Sequence, residues 1–439
     1  MKTPDRPRPK GSAKQRSSGS KSKASPISPA RLAAFEILTL VGENKGNSDD
    51  LLHGRRTVAL SAEDRNLTTA LVLGVLRWQI ALDARIERLF ERPGQRLQEA
   101  VSIALRLGAF QLRHLDRIPP HAAINESVEL TRESGNPHAA GMVNAILRRL
   151  ASEPRQGKGL YESTAAFAQR LGHPLWLVER WVAAYGRQAA LKICAADQTE
   201  PEAATMFAET SDVALPVIDD GSRLVAELAA ASVPQARRVW DACAAPGGKT
   251  LIVAHRLAEA KILATDVSAK RLDSMRSRLE LYPYAGNVRT QAADATELPK
   301  DFDLFDLILC DVPCSGTGTI ARNPEIRHRF APLDLARHAA RQRNILRAAL
   351  DRLAPDGRLI YSTCSLEPEE CEQVVESVVA GGDARAVPAG AVLDHLLSNG
   401  VLRDQVNGAV RNNFLRTLPG VHAGDGFFAA ILERADIDQ

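Results

Sequence analysis

The sequence predicts an all-α region followed by an open, parallel, doubly wound α/β sheet. Three observations predict it. Residues 28–150 read as helix after helix with no two-residue alternation, the texture changes after Arg237 to short apolar runs, and most of those runs are a helix's length apart.

A chain of 439 residues is too long for one ordinary domain. Its 45% hydrophobic and 25% charged residues are the balance of a soluble globular protein with ample core. No run of about 18 apolar residues stands out, so no membrane span is expected. The basic N-terminus has no apolar stretch behind it and is no secretory signal, so the chain is expected in the cytoplasm. Residues 1–27 hold eight Lys and Arg against Asp5, which puts +7 on this tail and −4 on the rest of a chain whose net charge is +3. Rich in Ser, Pro, Gly and Lys, the tail is expected to be disordered, either a solvated leader or a phosphate-attracting arm.

Ser28 before Pro29 marks a helix start, with proline where its missing N–H costs nothing. Val101, Leu105, Gly108 and Leu112 recur at helical spacing and give one apolar face. Pro119, Pro120 and Pro137 break the pattern before a last segment ending at Leu150. Five or more helices are expected. Residues 155–235 contain a helical stretch around 173–185, then Pro201, and read as a connector with little core of its own.

The strand candidates are 238–243, 261–267, 287–294, 305–312 and 358–362. Two later runs, 414–418 and 426–432, suit a closing antiparallel hairpin.

The first strand runs into DACAAPGGKT, residues 241–250, and then a helix. A glycine turn at a strand's carboxyl end lets backbone approach a ligand at the crevice where open α/β sheets bind. A phosphate-cradling P-loop would need Gly where Cys243 stands, and a dinucleotide fingerprint would need three spaced glycines. A nucleoside-type cofactor without a pyrophosphate survives. Asp266, 25 residues after Asp241 at the end of the second strand, suits a ribose, and Asp294, at the end of the third, suits an adenine amine. Either acid alone would as readily cap the next helix.

Of six cysteines, none forms a CxxC pair, which argues against structural zinc, and no metal is expected. The fourth strand runs into DVPCSGTGT (311–319) and the fifth into YSTCS (361–365). Cys310, inside its strand, reads as a small buried hydrophobe. Cys314 and Cys364 sit at strand ends beside turns, where reactivity is favoured, and spacing alone leaves the two interchangeable.

These segments resemble the ribosomal small-subunit methyltransferase B family (Sun/Fmu proteins) within the RNA cytosine-5 methyltransferases. The resemblance rests on DACAAPGGKT, DVPCSGTGT with RNPEI after it, YSTCSLEPEE and the closing DGFFAA, four motifs in the expected order. GVLR (74–77), IPPHAAINE (118–126) and VNAILRR (143–149) likewise resemble the family's NusB-like domain. The implied fold is a Rossmann-like class I SAM-dependent methyltransferase domain preceded by an all-α NusB-like domain. The implied units are the tail 1–27, a NusB-like RNA-binding domain 28–152, a connector or shortened RNA-contacting subdomain 153–235, and a methyltransferase domain 236–434.

The resemblance implies that Cys243, Ala244, Ala245, Pro246, Gly247, Gly248, Lys249, Asp266, Asp294 and Asp311 bind S-adenosylmethionine. It implies Cys364 as the nucleophile, Cys314 as the residue assisting product release, and Asp311 as a contact to the base as charge develops. The chemistry explains the need for sulfur. Carbon 5 of cytosine is too weak a nucleophile to attack a sulfonium until a thiolate adds at carbon 6. The expected activity is 16S rRNA cytosine-5 methylation of a flipped or unpaired base by a monomer, with small-subunit ribosomal RNA as partner and neither membrane nor DNA. Transfer RNA or another ribosomal site is the alternative target, and a non-catalytic assembly factor the alternative class. The chain departs from the family in its short 195–221 segment, which lacks an Arg-x-Asn motif. It also carries Cys371 where Asn is usual, and Arg327 and His328 where an aromatic is common.

Overall fold

Ser28 is the N-cap of the first helix, Pro29–Gly42, as its Ser-Pro pair requires, but its hydroxyl and N–H both turn to Glu126 at 2.8 and 2.7 Å. The computed structural model that contains this helix describes residues 27–92, 94–154, 162–200, 206–208, 215–297, 303–406 and 408–435. The expected tail, residues 1–27, lies outside them apart from Ile27. Further helices Ala62–Glu87, Glu99–His114, Pro120–Glu133 and Ala140–Ser152 bury one apolar stripe each, and Ile37, Leu71, Leu105 and Leu147 meet in a common core. Gly74 lets two of these helices touch, because a Cβ there would overlap the Phe110 ring. One helix, Ala62–Glu87, is long and apolar enough to cross a membrane by length and composition alone. Its Leu71, Val72, Val75, Leu76 and Leu82 are buried in the helical core.

Helices Thr164–Arg170, Leu175–Tyr185 and Arg187–Ala196 follow. They differ from the coreless connector expected. Phe167, Trp181 and Ile193 are buried together with Ile320, Leu366 and Leu418 from the sheet region. Sequence periodicity could not register this core in full, since Ile320, Leu366 and Leu418 join it from more than a hundred positions away.

The strands are β1 (Arg238–Asp241), β2 (Lys261–Asp266), β3 (Val288–Ala292), β4 (Phe305–Asp311), β5 (Leu353–Thr363), β6 (Ala384–Val387), β7 (Val410–Arg411), β8 (Phe414–Arg416) and β9 (Phe428–Arg434). They form one sheet in the order β3-β2-β1-β4-β5-β9-β8-β7, with β6 also on β9. The strands β1 to β5 are parallel, and β9 returns antiparallel to β5 and β8. This is the Rossmann-like class expected, and its order reverses between β1 and β4, the switch point where such sheets open a crevice. The first four parallel strands lie within the predicted runs, β5 begins five residues before its run at 358–362, and the short β6 and β7 were not anticipated. Asp294 falls two residues beyond β3, in a turn, where the sequence had placed it at the strand's end.

Candidate active site

At the carboxyl end of β1 the chain makes a tight turn, with Gly247 N–H donating to Ala244 O at 2.7 Å. Gly247 has φ +93°, a left-handed backbone that a side chain would strain, and it caps helix Gly248–Arg256. Asp241 accepts from Thr250 Oγ1 at 2.7 Å, and its other carboxylate oxygen is buried without a partner. Burial pushes this carboxyl up to about 7. The sequence reading had used Asp241 only to mark the strand's end.

The predicted cofactor residues come together here. Burial first, then the charges of Asp241, Asp311 and Asp266, push the Cys243 thiol well up. Asp266 is buried, accepts from Ser268 N–H at 2.9 Å and pairs with Arg271 at 3.2 Å. Asp294 is exposed and accepts from Thr296 N–H and Oγ1 at 2.9 and 2.8 Å, bonds that hold it below the usual carboxylate range. Both acids therefore do cap the following turn, the plain reading of a strand-end acid. Asp311 accepts from Lys249 Nζ at 2.7 Å and from Ser362 Oγ at 2.8 Å. Burial works to discharge Lys249, but Asp311 outweighs it and the ammonium is held above its ordinary range. Acids at the ends of β1, β2 and β4, one of them with an unpartnered buried oxygen, fit a cationic sulfonium nucleoside.

The two sulfurs converge because β4 and β5 run in register, Asp311 opposite Ser362. The loops beyond are zipped to each other. Gly318 N–H donates to Cys364 O at 2.8 Å, Leu366 N–H to Thr317 Oγ1 at 2.9 Å, and Gly426 N–H to Gly318 O at 2.8 Å. A Cβ on Gly318 would stand 2.8 Å from Cys364 O and closer still to Gly426 O, so three backbones meet where only glycine fits. Cys314 Sγ and Cys364 Sγ lie 3.4 Å apart, both part-buried. The hydrogen bond to Cys364 and burial raise the Cys314 thiol well above its ordinary range. Cys310 is fully buried in β4. Cys371 is buried, donates to Ser365 O at 3.4 Å and is pushed by burial up to about 12. Among the described residues, no group of three or more His, Cys, Asp or Glu is placed to hold a metal ion.

Two functional features were missed in the sequence. Glu370, quoted there only as part of a motif, is buried between the cysteine loops with Ser315, Ser365, His338 and Gln342 around it. The departures at 327 and 328 also have a purpose. Arg327 is buried and donates to Arg77 O and Gly172 O at 3.0 Å and to Asp197 O at 3.2 Å, and His328 Nε2 meets Leu76 O at 2.8 Å. Ser48 N–H and Oγ donate to Glu325 at 2.8 Å. Arg148 bonds Asn144 at 3.1 Å and Arg149 bonds Leu89 O at 3.3 Å, and both remain exposed.

Known proteins resemble the chain along most of its length. A family model described as 16S rRNA methyltransferase RsmB/F matches residues 230–433, and one described as the NusB family matches residues 28–152. A protein of Xanthomonas campestris pv. campestris named ribosomal RNA small subunit methyltransferase B is 33% identical, over 92% of this chain and 97% of that one. A Bacillus subtilis protein named probable ribosomal RNA small subunit methyltransferase B is 30% identical, over 91% and 98%. The crystal structure of PH0851 aligns over 93% of this chain and 99% of that chain with a TM-score of 0.70, and at 20% identity it speaks to the fold alone.

Proposed function

The chain belongs to the 16S rRNA methyltransferase RsmB/F family, and from that premise we propose that it methylates carbon 5 of a cytosine in 16S ribosomal RNA through a covalent bond from Cys364 to carbon 6. The observation that carries this reading is the pair of thiols, 3.4 Å apart at the carboxyl edge of the sheet. Amine or oxygen methylation has no use for such a pair. S-adenosylmethionine, when bound, supplies the electrophilic methyl group. Cys243 to Lys249, Asp266 and Asp294 would hold it along the edge of β1 to β3, with Asp311 reaching toward both it and the base.

Cys364 adds to carbon 6 and loads electron density onto carbon 5. Lys249 carries its charge close enough to interact with Cys364 and supports negative charge on that sulfur. Cys314 keeps its proton in the resting site. After methyl transfer the carbon 5 proton passes to solvent, and the bond from carbon 6 to the Cys364 sulfur breaks with its electron pair returning to that sulfur. Cys314, in contact with it, supplies the proton that neutralises it. Asp311, fixed by Lys249 and Ser362, faces the ring where charge develops.

The same reading divides the chain into an RNA-holding helical unit (28–152), a connector (153–235) and the methyltransferase unit (236–434), acting in the cytoplasm on small-subunit RNA. Bisulfite sequencing of ribosomal RNA from cells with and without the gene tests it. One 16S methylcytosine should disappear with the gene, and an unchanged ribosomal pattern would overturn the choice of substrate.

A further inference from the structure

Glu370 stands in the 3₁₀ turn Pro368–Glu370 that follows the Cys364 loop, and no part of it is exposed. Its Oε1 accepts from Ser315 N–H at 2.9 Å, His338 Nδ1 at 3.0 Å and Gln342 Nε2 at 3.0 Å. Its Oε2 accepts from Ser365 Oγ at 2.6 Å and from Ser315 Oγ. Ser315 directly follows Cys314 and Ser365 directly follows Cys364, and their hydroxyls are 3.1 Å apart. His338 and Gln342 are four apart on helix Asp334–Leu350 and so share one face. Gln342 also donates to Pro313 O at 3.0 Å, on the other side of Cys314. Tyr361 OH holds the Glu370 backbone carbonyl at 2.6 Å.

We propose that Glu370 is a positioning residue for the cysteine pair: one buried carboxylate that ties the loop after Cys314 to the loop after Cys364 and thereby sets the distance between the two sulfurs. This rests on the two-cysteine reading above. An acid that only completed the fold would have no reason to take the residue after each cysteine. Burial works against its charge, but the bonds from His338, Ser315 and Ser365 outweigh it and hold the carboxyl below its ordinary range. The charge acts unequally on the two thiols. It adds to the effects that keep Cys314 protonated, whereas the ammonium of Lys249 interacts with Cys364. The ionisable groups around Cys314 are Cys364, Glu370 and Tyr361, with His338 bonded to Glu370 and Asp311 bonded to Lys249 behind them.

The test uses the full chain and two readouts. The first is the pH dependence of alkylation of Cys314 and of Cys364 by iodoacetamide, resolved by mass spectrometry, with neither RNA nor cofactor present. The second is single-turnover methylation of a 16S RNA fragment. In Glu370→Gln, alkylation of Cys314 should begin about one pH unit lower while that of Cys364 holds its midpoint. Methyl transfer should slow roughly tenfold or more. Affinity for the RNA should stay within about two-fold. Glu370→Asp, which keeps the charge, should restore the Cys314 midpoint. Parent rate and parent alkylation in a folded Glu370→Gln protein would overturn the proposal. Should that variant fail to fold, the double variant Ser315→Ala/Ser365→Ala decides. It cuts the tie to the Cys364 loop at Ser365 while Ser315 N–H, His338 and Gln342 still cover the carboxylate, and an unchanged rate in it overturns the proposal equally. The underlying reading fails separately, if Cys364→Ala still methylates cytosine. The alkylation result does not depend on that.

Discussion

At the scale of single residues, the proposed chemistry rests on two sulfurs 3.4 Å apart with different surroundings. On the proposed reading, Cys314→Ala should accumulate a covalent protein–RNA adduct that survives denaturing electrophoresis, and Cys364→Ala should form none. The reverse pattern would exchange the two roles. Asp241 gives a pH signature. Its carboxyl is raised from 3.8 to about 7, so the fold favours the protonated form. The stability this confers is complete below about pH 4 and is lost as pH rises through 7, at no more than about 1.4 kcal/mol per unit. Urea denaturation at pH 5 and pH 8 should therefore show a larger loss for the parent than for Asp241→Asn, and parallel losses would refute it. Most of this site was legible in the chain. A glycine turn, strand-end acids and two cysteines beside turns are local signals, each tied to a strand end that periodicity locates. Glu370 was illegible because its role depends on five donors gathered from three segments, and an acid in a Pro-Glu-Glu turn reads as surface.

At the scale of elements, the parallel strands were readable because buried strands are apolar runs with helices between them. Short β6 and β7 were not, since four and two residues carry no periodicity. The connector's core was hidden for another reason. Its apolar residues meet Ile320, Leu366 and Leu418, and only the fold makes them neighbours. Trp181 Nε1 donates to Glu367 at 3.0 Å and Arg180 pairs with the same carboxylate at 2.6 Å, so these helices brace the segment just after Cys364. The loop zipper makes Gly318→Ala informative. Its methyl group would press on Cys364 O and Gly426 O, and overpacking against backbone costs about 1–3 kcal/mol. Methyl transfer should fall by roughly two orders of magnitude, out of proportion to the drop in melting temperature. Matched losses in activity and stability would mean that the loop adapts.

At the scale of the whole molecule, one guanidinium joins three parts of the chain. Arg327, in the sheet region, bonds carbonyls of Arg77 in the helical region and of Gly172 and Asp197 in the connector. Burial lowers the Arg327 guanidinium to about 10, and Asp197, raised by burial to about 7, is bonded to His173, which burial keeps neutral. Removing the guanidinium takes a donor from three buried carbonyls. Arg77 O keeps Gln198 Nε2 at 3.0 Å, and Gly172 O and Asp197 O lose their partner at about 1–3 kcal/mol each. Arg327→Ala should split unfolding into separate transitions in calorimetry, and a single unchanged transition would show that the parts hold without it. The family pattern made this position look like a mere departure, because a substitution for an aromatic says nothing of carbonyls hundreds of residues away. Fifteen residues separate Cys314 from Arg329, which itself grips Val41 O and Gly46 O at 2.7 Å. So short a tether, pinned at both ends, would pass a shift of the helical part to the loop that carries Cys314. On the proposed reading, capture of the substrate by the helical unit would bear on the alignment of the thiols, and loosening the distant pin at Arg327 should blunt methylation as well as cooperativity.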